Sequence, residues 1–190
     1  MSNAKRTKKT PYRTGERALT QREYQRLLTV CNTLEEEVIL KLAVALGLRR
    51  ADLAALKRAD IDTQAGTLIY YEHKKRRSRN VPMGQGLCQL LRKYDNTLPR
   101  GQEYLFRWGS STWGDRTAHR RLQDLCDRAG VDRRPFHALR ATCIKFKQAA
   151  GWPPEATAKL IGDTLRVVQE HYAVPSDAEV AELMREKETV

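Results

Sequence analysis

Apolar residues recur at helical spacing along most of the chain. Leu34, Val38 and Leu42 are each four residues apart, and Gly47 follows them as a typical helix end. Thr20 and Glu23 have the spacing of a capping box ahead of another apolar stripe. Together these signals predict helices over residues 19–31, 34–46, 50–61, 86–94, 115–128, 136–150, 154–162, 164–172 and 178–187.

The period changes in one segment, GTLIYYEHKKRRSRNVPM, which covers residues 66–83. β-branched and aromatic residues stand at its ends and charged residues between them, a pattern typical of a β-hairpin with a basic turn. The sequence therefore predicts an α+β fold that is mostly α-helical, with a small antiparallel sheet of about three strands inserted after the first helices. A chain of 190 residues is long enough for one sizeable core.

Charge and cysteine content narrow the function classes. The chain holds 35 Lys and Arg residues against 23 Asp and Glu residues, a formal net charge of +12. Such a surplus favours a polyanionic partner, most often nucleic acid and sometimes an anionic membrane. No apolar run approaches the ~20 residues of a membrane span. The four cysteines form no C-x-x-C pair and H-E-x-x-H is absent, so we expect reduced thiols, a cytoplasmic protein and no metal site.

Three short segments carry candidate chemistry. Arg49 stands where one apolar helix ends and the next begins, a position that a surface arginine also takes. Lys74–Arg79 place five cations in six residues, which suits a phosphate backbone but also a solvated turn. His137 and Arg140 are i,i+3 neighbours on one helix face, which we expect to lie away from the deepest part of the core. They suit an anionic, proton-transferring site, and the alternative is a His that caps the helix beside a surface Arg.

Tyr172 admits two interpretations. It lies with Leu165 and Val168 at i, i+3 and i+7, one face of a helix, and this period alone favours a packing residue. The second interpretation makes its phenol a nucleophile. The choice between them depends on the other motifs.

Four segments resemble one protein family when they are taken in order. They are GLRRADL, the basic hairpin that ends in SRNVPM, HALRATC and LIGDTLRVVQEHY. In this order they resemble the catalytic domain of the tyrosine recombinases, the phage-type integrase family. Each motif is weak alone, but four in order with compatible spacing are a strong signal. The resemblance covers residues 19–175 and implies the integrase-type catalytic fold.

The resemblance implies a catalytic set in this chain. The matching positions are Arg49, Lys74, His137, Arg140, Asp163 and Tyr172. Tyr172 would attack a DNA backbone phosphorus and leave a 3′-phosphotyrosyl link and a free 5′-hydroxyl, so that neither ATP nor another cofactor is needed. The two arginines would stabilise the charge that develops on the non-bridging oxygens, in place of metal ions.

Proton transfer and DNA contact are implied for further positions. Lys74 would protonate the departing 5′-oxygen, and Lys75 is a near-equal alternative because a one-residue slip in the turn is easy. His137 would assist proton transfer from the nucleophile. Asp52 would orient Arg49 or another basic neighbour. The cations implied in DNA contact are Lys75, Arg76, Arg77 and Arg79.

Asp163 departs from the family pattern, which has His or Trp there as a hydrogen-bond donor to phosphate. An ionised aspartate cannot donate and would repel the phosphate. Three interpretations stay open: a slower enzyme, a donor supplied by His171 or Lys159, or a relative that does not cut DNA. Site-specific recombination is the expected function, and the alternatives are a catalytically impaired DNA-binding relative and DNA relaxation of the type IB topoisomerase kind.

The resemblance also sets expectations for the whole chain. Residues 1–15 are expected to be a disordered basic tail with a cloning remnant, residues 16–175 the catalytic domain, and residues 176–190 a C-terminal helix or tail. That helix would dock on a neighbouring protomer or on its own domain. The expected partner is double-stranded DNA, bound by a homo-oligomer (a tetramer), with a monomer when free. We expect the family's separate N-terminal DNA-gripping domain to be missing, in a protein from a bacterium, phage or mobile element that acts on the chromosome.

Overall fold

Local signals in the sequence fix where the first helix begins. The computed structural model describes residues 14–111, 113–171 and 184, and the predicted capping box is present in it. The backbone N–H of Thr20 donates to Glu23 Oε2 at 2.8 Å, and that of Glu23 donates to Thr20 Oγ1 at 3.1 Å. The helices are α1 (Gln21–Thr29), α2 (Leu34–Leu46), α3 (Arg50–Ala54), α4 (Gln85–Asp95), α5 (Gly114–Ala129), α6 (His137–Ala149), α7 (Pro154–Ile161) and α8 (Leu165–His171). The strands are β1 (Ile61–Asp62), β2 (Thr67–Glu72) and β3 (Arg77–Pro82).

The strands form one antiparallel sheet in the order β1-β2-β3. β2 and β3 pair from Thr67 with Pro82 to Glu72 with Arg77, which confirms the predicted hairpin. Its turn ends on Arg76 in the left-handed region at φ 51°. The α+β prediction of a mostly helical chain with a small three-stranded sheet is therefore confirmed.

The core surrounds α2. Val38, Ile39 and Leu42 are fully buried, and the helix contacts α4, α5 and α6. Each side chain of this size contributes roughly 1.5–3 kcal/mol when it is fully buried. The C-terminal end of α2, from which the chain turns towards Arg49, therefore belongs to a helix that is buried in the core.

Gly47 ends α2 where α6 and α7 approach it. Its φ is +63°, and a Cβ at this position would lie 2.7 Å from Ile161 Cγ2 and 3.4 Å from Cys143 Sγ. Only glycine meets both the backbone and the space requirement. The close approach brings α2, α6 and α7 together at one corner of the domain.

One helix is shorter than the pattern predicts. The helix expected over residues 50–61 ends at Ala54. Beyond it, the N–H of Leu105 donates to the carbonyl of Leu56, and the N–H of Arg58 donates to that of Glu103. These long-range pairings compete with helical hydrogen bonds and lead the chain into β1.

The two ends of the chain are largely outside the described ranges. This applies to the tail predicted over residues 1–15, apart from residues 14 and 15, and to the helix predicted over residues 178–187, apart from residue 184. Tyr172 is also outside the described residues. Of the helices that are described, none is long and apolar enough to cross a membrane.

Candidate active site

Arg49 lies where the chain leaves α2. It caps α3 in an extended conformation, with φ −73° and ψ 152°. Its guanidinium pairs with Glu72 through Nη1, and its Nη2 lies 3.5 Å from Oδ2 of Asp163. The Arg49 side chain is 17% exposed, so it is held between two carboxylates at the edge of solvent.

Arg140 reaches the same carboxylate from α6. Its Nη2 donates to Asp163 Oδ2 at 2.7 Å, and its Nη1 donates to the carbonyl oxygen of Gly47 at 2.6 Å. The side chain is only 1% exposed, so the expectation that Arg140 lies away from the deepest core was wrong, whereas His137 is exposed. Burial is tolerated because the carbonyl left free at the end of α2 and a carboxylate accept from it. Its Nε has no hydrogen-bond partner among the described residues.

Asp163 is the group on which these cations meet. It follows Gly162, which ends α7 in the left-handed conformation. Lys75 Nζ lies 3.2 Å from Asp163 Oδ1 and donates to the Gly162 carbonyl at 2.5 Å. Burial alone would raise the pKa of Asp163, but Arg140 and Lys75 hold it below its ordinary value. The carboxylate is therefore ionised at neutral pH, in a site that two arginines and a lysine build for one anion.

His137 is the first residue of α6 and lies beside this site. Desolvation and the positive charges of Arg140, Arg49 and Lys74 lower the pKa of His137 to about 4, although part of the side chain reaches solvent. Asp163 opposes the shift without reversing it. The imidazole is therefore neutral at pH 7.

Arg79 joins the hairpin to the end of α7. Its Nη1 donates to the Tyr70 hydroxyl at 3.0 Å and to the Leu160 carbonyl at 3.1 Å, and its Nη2 donates to the Lys159 carbonyl. The last turn of a helix leaves such carbonyls unpaired and favours a cation. This residue, predicted to contact DNA, therefore caps a helix in the structure.

The other cations of the turn divide into two groups. Arg77 donates through Nε to Glu72 at 2.9 Å and through Nη2 to the Gly162 carbonyl at 3.4 Å. Lys74 and Arg76 are exposed. Some cations of the turn thus anchor it to the domain, and the side chains of the others face solvent.

Asp52 holds the residue that precedes the turn lysines. It is 2% exposed, and its Oδ1 accepts from the backbone N–H of His73 at 3.0 Å and lies 3.0 Å from His73 Nδ1. The basic neighbour that it contacts is therefore His73. This contact fixes the end of β2 from which the turn begins.

Glu72 also belongs to this site, although it was not among the site residues predicted from the sequence. Its side chain is fully buried between Arg49 and Arg77. Strand alternation places Leu68, Tyr70 and Glu72 on the inward face of β2, where a charged residue is costly unless it is paired. The signal available in the sequence was an acidic residue at an inward-facing position of the predicted strand.

The structure brings together Arg49, Arg140, Asp163 and Lys75, with His137 and Lys74 close enough to interact electrostatically. Of His171, the structure describes only the backbone at the end of α8. The side chain of Lys159, the other predicted substitute donor, is exposed. The position of Tyr172 stays a prediction.

Fold and site together define a catalytic domain of the integrase and recombinase class. Residues 17–178 match the model of the phage integrase family. The chain belongs to this family.

Curated relatives agree with this assignment. The chain is 30% identical over 152 residues to the tyrosine recombinase XerA of Thermococcus kodakarensis, a match that covers 77% of this chain and 54% of the relative. It is 27% identical over 146 residues to XerA of Saccharolobus solfataricus, covering 77% and 48% of the two chains. The chain thus spans about half the length of these relatives.

Solved structures show the same fold. The crystal structure of XerA recombinase superposes with a TM-score of 0.75 at 21% identity, covering 100% of this chain and 68% of that one. XerH site-specific recombinase bound to palindromic difH substrate, in a post-cleavage complex, gives 0.68 at 18% identity, covering 90% and 53%. A lambda integrase(75–356) dimer bound to a COC′ core site gives 0.62 at 21%, covering 77% and 57%.

Proposed function

We propose that this domain cuts and rejoins double-stranded DNA in site-specific recombination, through a 3′-phosphotyrosyl intermediate formed by Tyr172. The observation that carries the proposal is the convergence of Arg49, Arg140 and Lys75 on one carboxylate. The net charge of +12 supports a DNA partner, as do the DNA complexes of XerH and lambda integrase. A tetramer on DNA and a monomer in its absence are part of the proposal.

The two arginines would act on the phosphate that is attacked. Negative charge grows on its non-bridging oxygens as the fifth bond forms, and the two guanidiniums, each through its Nη2, would stabilise that charge more than the charge of the starting diester. Asp163 Oδ2 lies where both guanidiniums can reach one oxygen, so we infer that it stands in the place of a non-bridging oxygen. A bound phosphate would have to displace this carboxylate.

Proton transfer at the two ends of the reaction would use separate groups. His137, neutral at pH 7, would assist proton transfer from the Tyr172 phenol, whose ordinary pKa is ~10. A pKa of about 4 makes His137 a weak base, so the nearby positive charges would also have to favour the phenolate. Lys74 would protonate the departing 5′-oxygen. We assign this role to Lys74 because Lys75 is engaged with Gly162 and Asp163.

The test of the proposal uses a duplex with a nick close to the cleavage site. Cleavage releases a short fragment that carries the free 5′-hydroxyl. Because this fragment diffuses away, the strand cannot be rejoined and the covalent protein–DNA product accumulates. The wild-type protein is expected to form a protein–DNA adduct that survives denaturing electrophoresis. Binding without any adduct would contradict the proposal and identify a catalytically impaired relative. Relaxation of supercoiled DNA without exchange of partners would indicate the topoisomerase kind of reaction.

Substitution of Lys74 by Ala is expected to slow adduct formation about 10²-fold, because a general acid contributes on this order. A substrate with sulfur at the 5′-bridging position should restore the rate, since a thiolate leaves without a proton. Rate constants on the oxygen and sulfur substrates check this, with Lys75→Ala as the matched variant. Rescue of Lys75→Ala instead of Lys74→Ala would assign the acid to Lys75.

Replacement of Asp163 by His is expected to raise the rate of adduct formation or to leave it unchanged, and Asn should act in the same direction. The variants remove an ionised group that competes with phosphate, and an Asn amide or a His ring can donate to it. Arg140 would lose a buried counterion, so the melting temperature should fall. Adduct kinetics and thermal unfolding check both effects, and a sharp loss of cleavage would show that Asp163 has a positive role.

A further inference from the structure

Glu72 has features that packing alone does not require. It occupies the last inward position of β2, after Leu68 and Tyr70, and its side chain is 0% exposed. An apolar residue would fill such a position without any desolvation penalty. A buried carboxylate needs partners, and here each oxygen has its own: Oε1 accepts from Arg49 Nη1, and Oε2 accepts from Arg77 Nε at 2.9 Å.

The contact with Arg49 has a geometric consequence. Glu72 binds Nη1 and leaves Nη2 directed towards Asp163 Oδ2, the oxygen that Arg140 also contacts at 2.7 Å. A free arginine side chain samples many rotamers, and fixing it in advance removes that entropic cost from the reaction. When an anion replaces the Asp163 carboxylate, the Glu72 contact still holds Arg49 in place.

We propose that Glu72 is a positioning residue for the reaction, which holds the Arg49 guanidinium aimed at the scissile phosphate. The inference rests on the proposed function. It adds Glu72, which is not one of the positions that match the family's motifs. Burial alone would raise the pKa of Glu72, but hydrogen bonds from Arg49 and Arg77 keep it below its ordinary value. Glu72 is therefore ionised and accepts from both arginines at neutral pH.

The chain offers a matched control in Glu36. Its side chain is 8% exposed, and its Oε1 accepts from Arg128 Nη2 at 2.6 Å. It lies in the first turn of α2, eleven residues before Gly47 and therefore ~16 Å along the helix from the site. Glu36→Gln removes a buried charge paired with an arginine, as Glu72→Gln does, but away from the proposed chemistry.

The experiment measures adduct formation at saturating nicked DNA, DNA affinity and thermal unfolding for Glu72→Gln, Glu72→Asp and Glu36→Gln. Glu72→Gln is expected to slow adduct formation about tenfold while DNA affinity stays within about twofold, because one carboxylate oxygen is replaced by an NH₂ group that cannot accept from an arginine and the negative charge is lost. Glu72→Asp should recover part of the rate. Glu36→Gln should lower the melting temperature comparably without slowing the reaction. A wild-type rate in Glu72→Gln, or an equal loss in Glu36→Gln, would overturn the proposal.

A second readout separates this inference from the proposed function. In the DNA-free protein, ¹⁵N-guanidinium NMR should show distinct, slowly exchanging Nη signals for Arg49, which merge in Glu72→Gln and reappear in Glu72→Asp. Unchanged Arg49 signals in Glu72→Gln would overturn the positioning role whether or not the wild type forms an adduct. Absence of an adduct in the wild type, with the expected NMR change present, would count against the recombinase function alone.

Discussion

Replacing Arg140 with Lys is expected to lower the rate constant of adduct formation by about 10³-fold, because one donor at a developing oxyanion is worth about 10²–10³ and lysine has no second forked donor. In the structure, Arg140 uses Nη1 for the Gly47 carbonyl and Nη2 for the anion position at Asp163. A single ammonium cannot make both contacts with the same geometry. The loss should appear in the rate constant at saturating DNA, measured on the nicked duplex.

Stability must be separated from catalysis in this experiment, since Arg140 is buried. Removing one partner of a buried ion pair costs about 3–5 kcal/mol, so Arg140→Ala risks unfolding, whereas Arg140→Lys keeps the charge. Arg128→Lys controls for the loss of an arginine that pairs with a buried carboxylate, because Arg128 pairs with Glu36 at the far end of α2; its own side chain is 31% exposed, against 1% for Arg140. The expectation fails if folded Arg140→Lys forms the adduct at the wild-type rate, or if Arg128→Lys slows it equally.

Much of the fold could be predicted from the sequence because its signals are local. Thr20 and Glu23, which cap α1, are only three positions apart in the sequence. Gly47 ends α2 through its own backbone conformation. The hairpin likewise follows from the change in period around a basic turn. The error at α3 arose where the chain beyond Ala54 pairs with residues some fifty positions away, which local patterns do not report.

The site was predictable in its residue types but not in its contacts. Arg49 and Asp163 are 114 positions apart, and only the folded chain shows that Arg140 binds the same oxygen. The sequence indicated that Asp163 would repel a phosphate. The structure adds that its carboxylate is already bound by Arg49, Arg140 and Lys75, so in the proposed reaction it would compete with the phosphate for these cations.

Tyr172→Phe is expected to abolish the covalent adduct, since the substitution removes only the phenolic oxygen that would bond to phosphorus. DNA affinity should stay within about twofold, because the arginines and the basic turn are unchanged. Adduct formation on the nicked duplex and binding to the intact duplex, measured on the same preparations, check the two parts. An equal amount of adduct from Tyr172→Phe and from the wild type would exclude this tyrosine as the nucleophile.

The same variant decides which subunit supplies the phenol if the protein assembles on DNA. Tyr172→Phe keeps Arg140, and Arg140→Lys keeps Tyr172, so neither is expected to cleave efficiently alone. If each active site takes its tyrosine from a neighbouring subunit, an equimolar mixture should regain adduct, since some sites combine an intact arginine with an intact phenol. If the tyrosine acts within its own subunit, the mixture should form no more adduct than Arg140→Lys alone. A mixture of wild type with Tyr172→Phe serves as the control for assembly, and loss of all adduct there would show that the inactive subunit blocks its neighbours.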